Sequence, residues 1–212
     1  MPDTVCPLCF SKSLFLFHRD KRRDYYRCQQ CQLVFVPLSQ HLSFAEEKAI
    51  YDLHENHLDD PGYRQFLSRL ATPLQSKLPP AAIGLDYGCG PGPMLARMLT
   101  EHGHQVELFD PFYANHPQVL QDHYDFVTCT EVAEHFRQPA KEFEALFALL
   151  KPNGLLALMT KLVIDAEAFS RWHYKNDLTH VSFFSEATFC WLADTFHCQL
   201  EIIGKDVIIF YR

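Results

Sequence analysis

The run "GLDYGCGPGPML", residues 84–95, places Gly88, Gly90 and Gly92 between an apolar stretch ending at Asp86 and an amphipathic one. Glycine at every second position suits a strand that turns sharply into a helix, with backbone free to go left-handed and no side chain between chain and ligand. "AIGLDYG" has the length and apolar density of a buried strand. "PMLARMLTEHG" sets Leu95, Met98 and Leu99 on one helical face with Gly103 as a stop. Asp110 follows Gly92 by eighteen residues, at the end of a second apolar run, "HQVELFD". In an open parallel sheet the ends of neighbouring strands meet over the ligand crevice, where an acid can accept bonds from both hydroxyls of a ribose. The turn is G-x-G-x-G rather than G-x-G-x-x-G, so no helix-end site for a pyrophosphate is implied.

A chain of 212 residues with 48% hydrophobic content has room for one sizeable core and a small appended module. Its longest apolar region, "FEALFALLKPNGLLALM", is cut by Lys151, Pro152, Asn153 and Gly154, so no membrane span is expected. The N-terminus lacks the charged-then-apolar order of an export signal, and a cytoplasmic location is the expectation. The net charge of -7 is uneven: residues 1–40 hold six Lys or Arg against three acids, and the rest hold thirteen against twenty-three. An acidic body argues mildly against a nucleic-acid duplex as partner.

The basic end contains Cys6-x2-Cys9 and Cys28-x2-Cys31, eighteen residues apart. Four thiolates at this spacing can converge tetrahedrally on a structural zinc, which would supply folding free energy that roughly 40 residues cannot gain from a core. Such a zinc has no open position for activating water. Disulfides, a redox pair and an iron centre on the same sulfurs are the competing readings; the absent export signal and the scattered Cys89, Cys129, Cys190 and Cys198 speak against disulfides. Within this segment "HRDKRRDYYR", residues 18–27, could grip phosphate and stack on a base, or could be a solvated hairpin.

From 41 to 80 the pattern is mainly helical, with Tyr63, Phe66, Leu67, Leu70 and Leu74 in one stripe. Before it, "YDLHENHLDDPGY" offers Tyr51, His54 and Asn56 as groups that could close over a ligand or simply cap and join helices. Further on, "DFVTC" reads as a central strand, and Glu131 and His135 of "TEVAEHF" would share a face if that segment is helical. Histidine at a strand end can remove a proton from an acceptor, or can merely pack there.

"LDYGCGPG", "VELFDP" and "YDFVTCTEVAEHFRQPAKEFEALFALLKPNGLLALMT" together resemble the class I S-adenosylmethionine-dependent methyltransferases, in particular the branch containing the ubiquinone-biosynthesis O-methyltransferases. The resemblance implies an α/β, Rossmann-like, mostly parallel sheet of seven strands over residues 81–212, with the zinc ribbon at 1–40 and a helical linker and cap at 41–80. It implies S-adenosylmethionine as cofactor, held by Asp86, Gly88, Cys89, Gly90, Gly92, Asp110, Pro111 and Thr130, with Tyr51, His54 and Asn56 as further candidates. Asp86 would orient the methionine amino group and Asp110 the ribose. His135 is then the base or orienting group, with Glu131 at the sulfonium end. His180, in "DLTHVSFFS", would approach the substrate, and Trp172, Tyr174 and Phe183 would wall the pocket or cover the sheet edge. Only fourteen residues separate Asp110 from Asp125, too few for the usual helix, third strand and adenine-contacting acid, so Gln118, Val119 and Asp122 are placeholders for the adenine side. A small, planar or partly apolar acceptor is the leading expectation. RNA or protein docked by the ribbon is the alternative, and a non-catalytic S-adenosylmethionine-binding scaffold the third. Oligomeric state is left open.

Overall fold

The computed structural model describes residues 5–53 and 60–212. Its N-terminal strands are β1 (Leu14–Arg19), β2 (Asp24–Cys28) and β3 (Val34–Phe35), followed by helices α1 (Phe44–Tyr51) and α2 (Pro61–Gln75). Then come β4 (Ile83–Tyr87), α3 (Met94–Glu101), β5 (Gln105–Phe109), β6 (Tyr124–Thr130), α4 (Pro139–Ala148) and β7 (Leu150–Met159). The chain ends with α5 (Ala166–Arg171), β8 (Ser182–Phe183), α6 (Glu186–Phe196), β9 (Gln199–Ile203) and β10 (Val207–Tyr211).

The main sheet runs β5-β4-β6-β7-β10-β9, with the first four strands parallel and the last two joined antiparallel. Seven strands were implied and six are present among the described residues. Between β5 and β6 the chain makes a 3-10 turn, Pro117–Gln121, and exposes Gln118 and Asp122.

Side chains alternate along each central strand, and both faces are apolar, which is how a sheet covered on both sides reads. Leu155, Ala157, Met159, Val207 and Ile209 face α2 and α3; Leu156, Leu158, Ile208 and Phe210 face α4 and α6. Local signals agree with this. Ser185 caps α6 by accepting from the Thr188 N–H, and Asp60 caps α2 by accepting from Gly62 and Tyr63 N–H groups. His197 then closes α6 in the left-handed region, at φ 54°.

The smaller sheet runs β1-β2-β3-β8, so its fourth strand comes from the far end of the chain. Val34 pairs with Phe183 and Phe35 with Ser182, and the Val36 N–H donates to the Val181 carbonyl at 2.9 Å. Tyr25, Val34, Phe169 and Phe183 form a shared core, while Leu33 and Phe35 enter the core under α4 and α6.

Candidate active site

The glycine turn lies at the carboxyl ends of β4 and β5. Gly88 has φ +78°, and a Cβ there would stand 2.4 Å from Val132 Cγ2; Gly90 has φ +63° and faces open space. The Gly88 and Cys89 N–H groups donate to the Phe109 carbonyl, tying the turn to β5. Asp110 completes the tie: Oδ2 accepts from Gly90 N at 3.0 Å, and Oδ1 accepts from Phe112 N and Tyr113 N at 2.8 and 3.1 Å. A carboxylate has about four lone-pair positions. With three used, Asp110 shapes the loop first and has acceptor capacity left for a sugar hydroxyl.

A cavity of about 580 Å³ opens over this turn. Gly88, Cys89, Gly90, Asp110, Pro111, Thr130, Tyr51, Glu131, His135 and His180 all line it, so the structure brings together candidates drawn from both ends of the sequence. Asp86 and Gly92 open onto a separate recess of about 20 Å³, shared with Tyr63, Gly88, Cys89 and Thr130. Asp86 accepts from the Thr128 hydroxyl at 2.7 Å, and burial pushes its carboxyl up to about 6. His54 and Asn56 lie outside the described residues.

At the other end of the cavity, residues 131–135 are not the helix on which a shared Glu131–His135 face was premised. Glu131 takes φ 53°, uncommon for a residue with a side chain, and a 3-10 turn covers Ala133–His135. Glu131 and His135 nonetheless both face the cavity. Burial pushes the Glu131 carboxyl up to about 7 against the opposing pull of Lys161 and Arg69, and its Oε1 has no hydrogen-bond partner. Glu134 is fully buried, accepts hydroxyl bonds from Thr160 (2.9 Å) and Tyr174, and is raised to about 7 by burial and then by Glu131.

The two histidines meet edge to face with centroids 4.7 Å apart. His135 Nδ1 lies 3.3 Å from the Thr179 carbonyl and His180 Nδ1 lies 2.8 Å from the Tyr174 carbonyl. A carbonyl only accepts, so each Nδ1 carries a proton; on its other side His180 Nε2 lies 3.8 Å from Asp177 Oδ2. Burial, and then His135, lowers His180 to about 3, which keeps that ring neutral. Ligand-capable atoms of Glu134, His135 and His180 lie within 4.8 Å of one another, close enough to hold a cation as well as to relay a proton.

Helix α1 roofs this end. Arg137 donates to Glu47 Oε2 at 2.5 Å and to the Leu42 carbonyl at 2.7 Å, the Tyr51 hydroxyl donates to Glu47 Oε1, and the Tyr51 ring stands edge-on to His135. The Tyr113 hydroxyl donates to Asp52, fastening the end of α1 to the loop after Asp110.

In the ribbon, Cys6, Cys9, Cys28 and Cys31 present sulfurs all within 4.8 Å, with Cys6–Cys31 and Cys9–Cys28 separations of 3.4 Å. These are far beyond a disulfide bond of about 2.05 Å and near the roughly 3.8 Å edge of a tetrahedron with Zn–S of about 2.3 Å. Burial pushes Cys9 up to about 12 and the hydrogen bond from Cys31 lowers Cys6 to about 6, so without a cation the sulfurs share protons among themselves, and four adjacent thiolates need a cation to form. Few of the basic and aromatic residues at 18–27 are free to face a polyanion: Arg23 and Tyr25 are buried, Arg19 pairs with Asp24, and Lys21 and Arg22 stay exposed.

Trp172, Tyr174 and Phe183 do not line the cavity; of the two roles open to them they take the covering one, packing with Phe169 against the ribbon where β8 pairs with β3. Gln118, Val119 and Asp122 are likewise absent from it, and Phe112 and Tyr113 stand there instead. Tyr63, read as part of an apolar stripe, reaches both cavities. The aromatic pair directly after Asp110-Pro111 is the signal that could have found Phe112 and Tyr113.

A mostly parallel sheet with this strand order, a glycine turn at the β4 end and an acid at the β5 end make an α/β fold of the class I methyltransferase type. The family model described as "Methyltransferase domain" matches residues 54–201, and the chain belongs to that family. A ubiquinone biosynthesis O-methyltransferase from Yersinia pestis is 38% identical over 71 residues, 34% of this chain, and the match spans only 29% of that relative. Among solved structures, the 1,6-didemethyltoxoflavin-N1-methyltransferase of Burkholderia thailandensis, with bound 1,6-didemethyltoxoflavin and S-adenosylhomocysteine, superposes with TM-score 0.52 at 16% identity, covering 85% of this chain and 94% of that one. CalO1, a methyltransferase of calicheamicin biosynthesis in its S-adenosylhomocysteine-bound form, gives 0.52 at 15% identity over 78% of this chain and 57% of its own. At these identities the likeness is one of fold. No helix among the described residues is long and apolar enough to cross a membrane.

Proposed function

We propose that this protein methylates an oxygen or nitrogen of a small, planar or partly apolar acceptor. The observation that carries this is the pair of imidazoles, each with Nδ1–H fixed on a backbone carbonyl, in the same cavity as the glycine turn. A second support is the bound heterocyclic acceptor of the Burkholderia N-methyltransferase, a fold relative.

The residues present fit S-adenosylmethionine. Gly90 leaves open space, Asp110 has acceptor capacity, and Thr130 Oγ1 and Glu131 Oε1 are buried without partners. When bound, the cofactor supplies an electrophilic methyl group. Asp110 and Pro111 hold its nucleoside side, with Phe112 and Tyr113 toward the adenine, and the backbone at Gly88 and Gly90 packs beside its methionine part. Thr130 and Glu131 face its methionine side, and Asp86 acts through Thr128 and the adjoining recess. His135 Nε2 accepts the acceptor's proton, and neutral His180 orients the same hydroxyl or amine through its own Nε2. Tyr51 and α1 exclude water from this end. In the ribbon, Cys6, Cys9, Cys28 and Cys31 hold a structural zinc whose four ligands leave no place for substrate.

The test is transfer of labelled methyl from S-adenosylmethionine, by the zinc-loaded protein, into separated cell fractions. Label in small molecules is the expected result; label in RNA or protein would overturn the acceptor class. His135→Ala should lower turnover by about 10²–10⁴-fold with S-adenosylhomocysteine affinity changed less than about threefold, and unaltered turnover removes His135 from the proton transfer.

A further inference from the structure

Arg23 is the most unusual side chain outside the cavity. It belongs to the ribbon hairpin, is 4% exposed, and pairs with no carboxylate among the described residues. Its guanidinium donates instead to four backbone carbonyls of a single loop: Nη1 to Leu178 and His180, both at 2.9 Å, and Nη2 to Lys175 at 2.6 Å and Asp177 at 2.9 Å. The sequence distance is about 155 residues. A buried cation without a counter-ion is costly unless its donors are matched; here both Nη groups of the planar fork meet a ring of oxygens, while Nε has no hydrogen-bond partner and the guanidinium lies 5.5 Å from the Tyr25 ring centroid.

The carbonyls that Arg23 does not take are informative. Tyr174 accepts from His180 Nδ1 and Thr179 from His135 Nδ1. Within 174–180 the loop therefore turns four carbonyls toward the ribbon arginine and two toward the histidines. The Val181 N–H, next along, donates to the Glu134 carbonyl, so the loop is held against the cavity from both sides.

We propose that Arg23 is a positioning residue for the acceptor end of the cavity: by gathering the carbonyls of 175, 177, 178 and 180 it sets the loop that fixes the tautomer and direction of His180 and His135. The ribbon then serves the reaction from behind, by holding the loop that lines the site and not by facing the cavity itself. The inference rests on the assignment of these histidines to the acceptor site, and its test needs no acceptor.

The experiment compares the full-length, metal-loaded protein with Arg23→Ala and Arg23→Lys. It reads histidine side-chain ¹⁵N spectra, S-adenosylhomocysteine affinity and metal content, with the two rings assigned by loss of signal in His135→Gln and His180→Gln. The wild type should show both rings as the Nδ1–H tautomer. In Arg23→Ala both should shift toward the Nε2–H form that free imidazole favours, with metal content intact and affinity within about threefold, since misplacement of about 1 Å at the reacting end is what the change creates. Millimolar guanidinium chloride, but not equal sodium chloride, should restore the wild-type spectrum. Lysine, lacking the planar fork, should restore it poorly. Unchanged ring signals in Arg23→Ala overturn the proposal. So does failure of both variants to fold with or without guanidinium, which would make Arg23 a residue of the global fold. Absence of S-adenosylhomocysteine binding in the wild type would instead strike the cofactor reading and leave the Arg23 result readable.

Discussion

Glu134 shows how one side chain records the dryness of its site. Its carboxyl is raised from an ordinary value of 4.5 to about 7 by burial and then by Glu131. A carboxyl raised on folding binds its proton more tightly in the native state. Its contribution to stability is therefore complete below about pH 4.5 and lost as pH rises through about 7. His180 works the other way: lowered to about 3, it contributes above about 6.5 and loses that as pH falls. Comparing wild type with Glu134→Gln cancels His180. Between pH 8 and pH 5 the wild type should gain about 1–3 kcal/mol relative to the variant, read from urea unfolding at each pH; a pH-independent difference would mean Glu134 is not held protonated. Gly88 offers a steric counterpart. Alanine there must hold a left-handed backbone at about 1–2 kcal/mol and also displace Val132, 2.4 Å away. Gly88→Ala should lower the thermal midpoint and weaken S-adenosylhomocysteine binding, and Val132→Ala added to it should recover part of the midpoint but not the backbone component.

Among the elements, α1 depends most on a single contact. Phe44–Tyr51 has few buried residues of its own, Glu47 alone being fully covered, and Glu47 is held by Arg137 and Tyr51. Arg137→Ala should loosen the helix by about 1–3 kcal/mol, the pair being only partly screened. Hydrogen exchange of the Phe44–Tyr51 amides should quicken while α2 is unaffected; equal protection would mean that Tyr113–Asp52 and packing suffice. How far such elements could be read from sequence follows from the range of the forces involved. Strands β4, β5, β9 and β10 and helices α3 and α6 were legible because periodicity, glycine stops and a Ser185 cap act within a few residues. The glycine turn and Asp110 were legible for the same reason, and so were four cysteines whose chemistry restricts them. The left-handed turn at Glu131, though not the residue itself, escaped because it is fixed by the Met159 carbonyl on β7, which accepts its N–H. The choice between pocket wall and sheet-edge cover for Trp172 and Phe183 was not legible, because β8 is two residues long and exists only by pairing with β3.

At the scale of the molecule the ribbon is built into the core. Leu33 and Phe35 share a cluster with Phe143 and Phe184; Cys6 and Cys28 lie in the same cluster; and Arg23 and Tyr25 bond to the loop at 175–180. A docking module on a tether would unfold separately from the enzyme behind it. A ribbon whose apolar residues complete the enzyme's core should unfold with it, because loss of the metal cluster would expose the β8 edge, leave four carbonyls without their cation and uncover the aromatic cluster around Phe169. Denaturant titration of the zinc-loaded protein should therefore give one transition, with metal release, followed by a chromogenic chelator, coinciding with loss of helical circular dichroism. Cys28→Ser, which removes one of the four thiolates, should abolish metal retention and lower the helical transition as well, in proportion to a metal contribution of several kcal/mol. Metal release at distinctly lower denaturant, with the helical transition unmoved, would return the ribbon to the status of an independent domain and reopen RNA or protein docking as its purpose. Coincidence would mean that the ribbon and the main sheet form one cooperative unit, with Arg23 committed to the loop at 175–180 that borders the site.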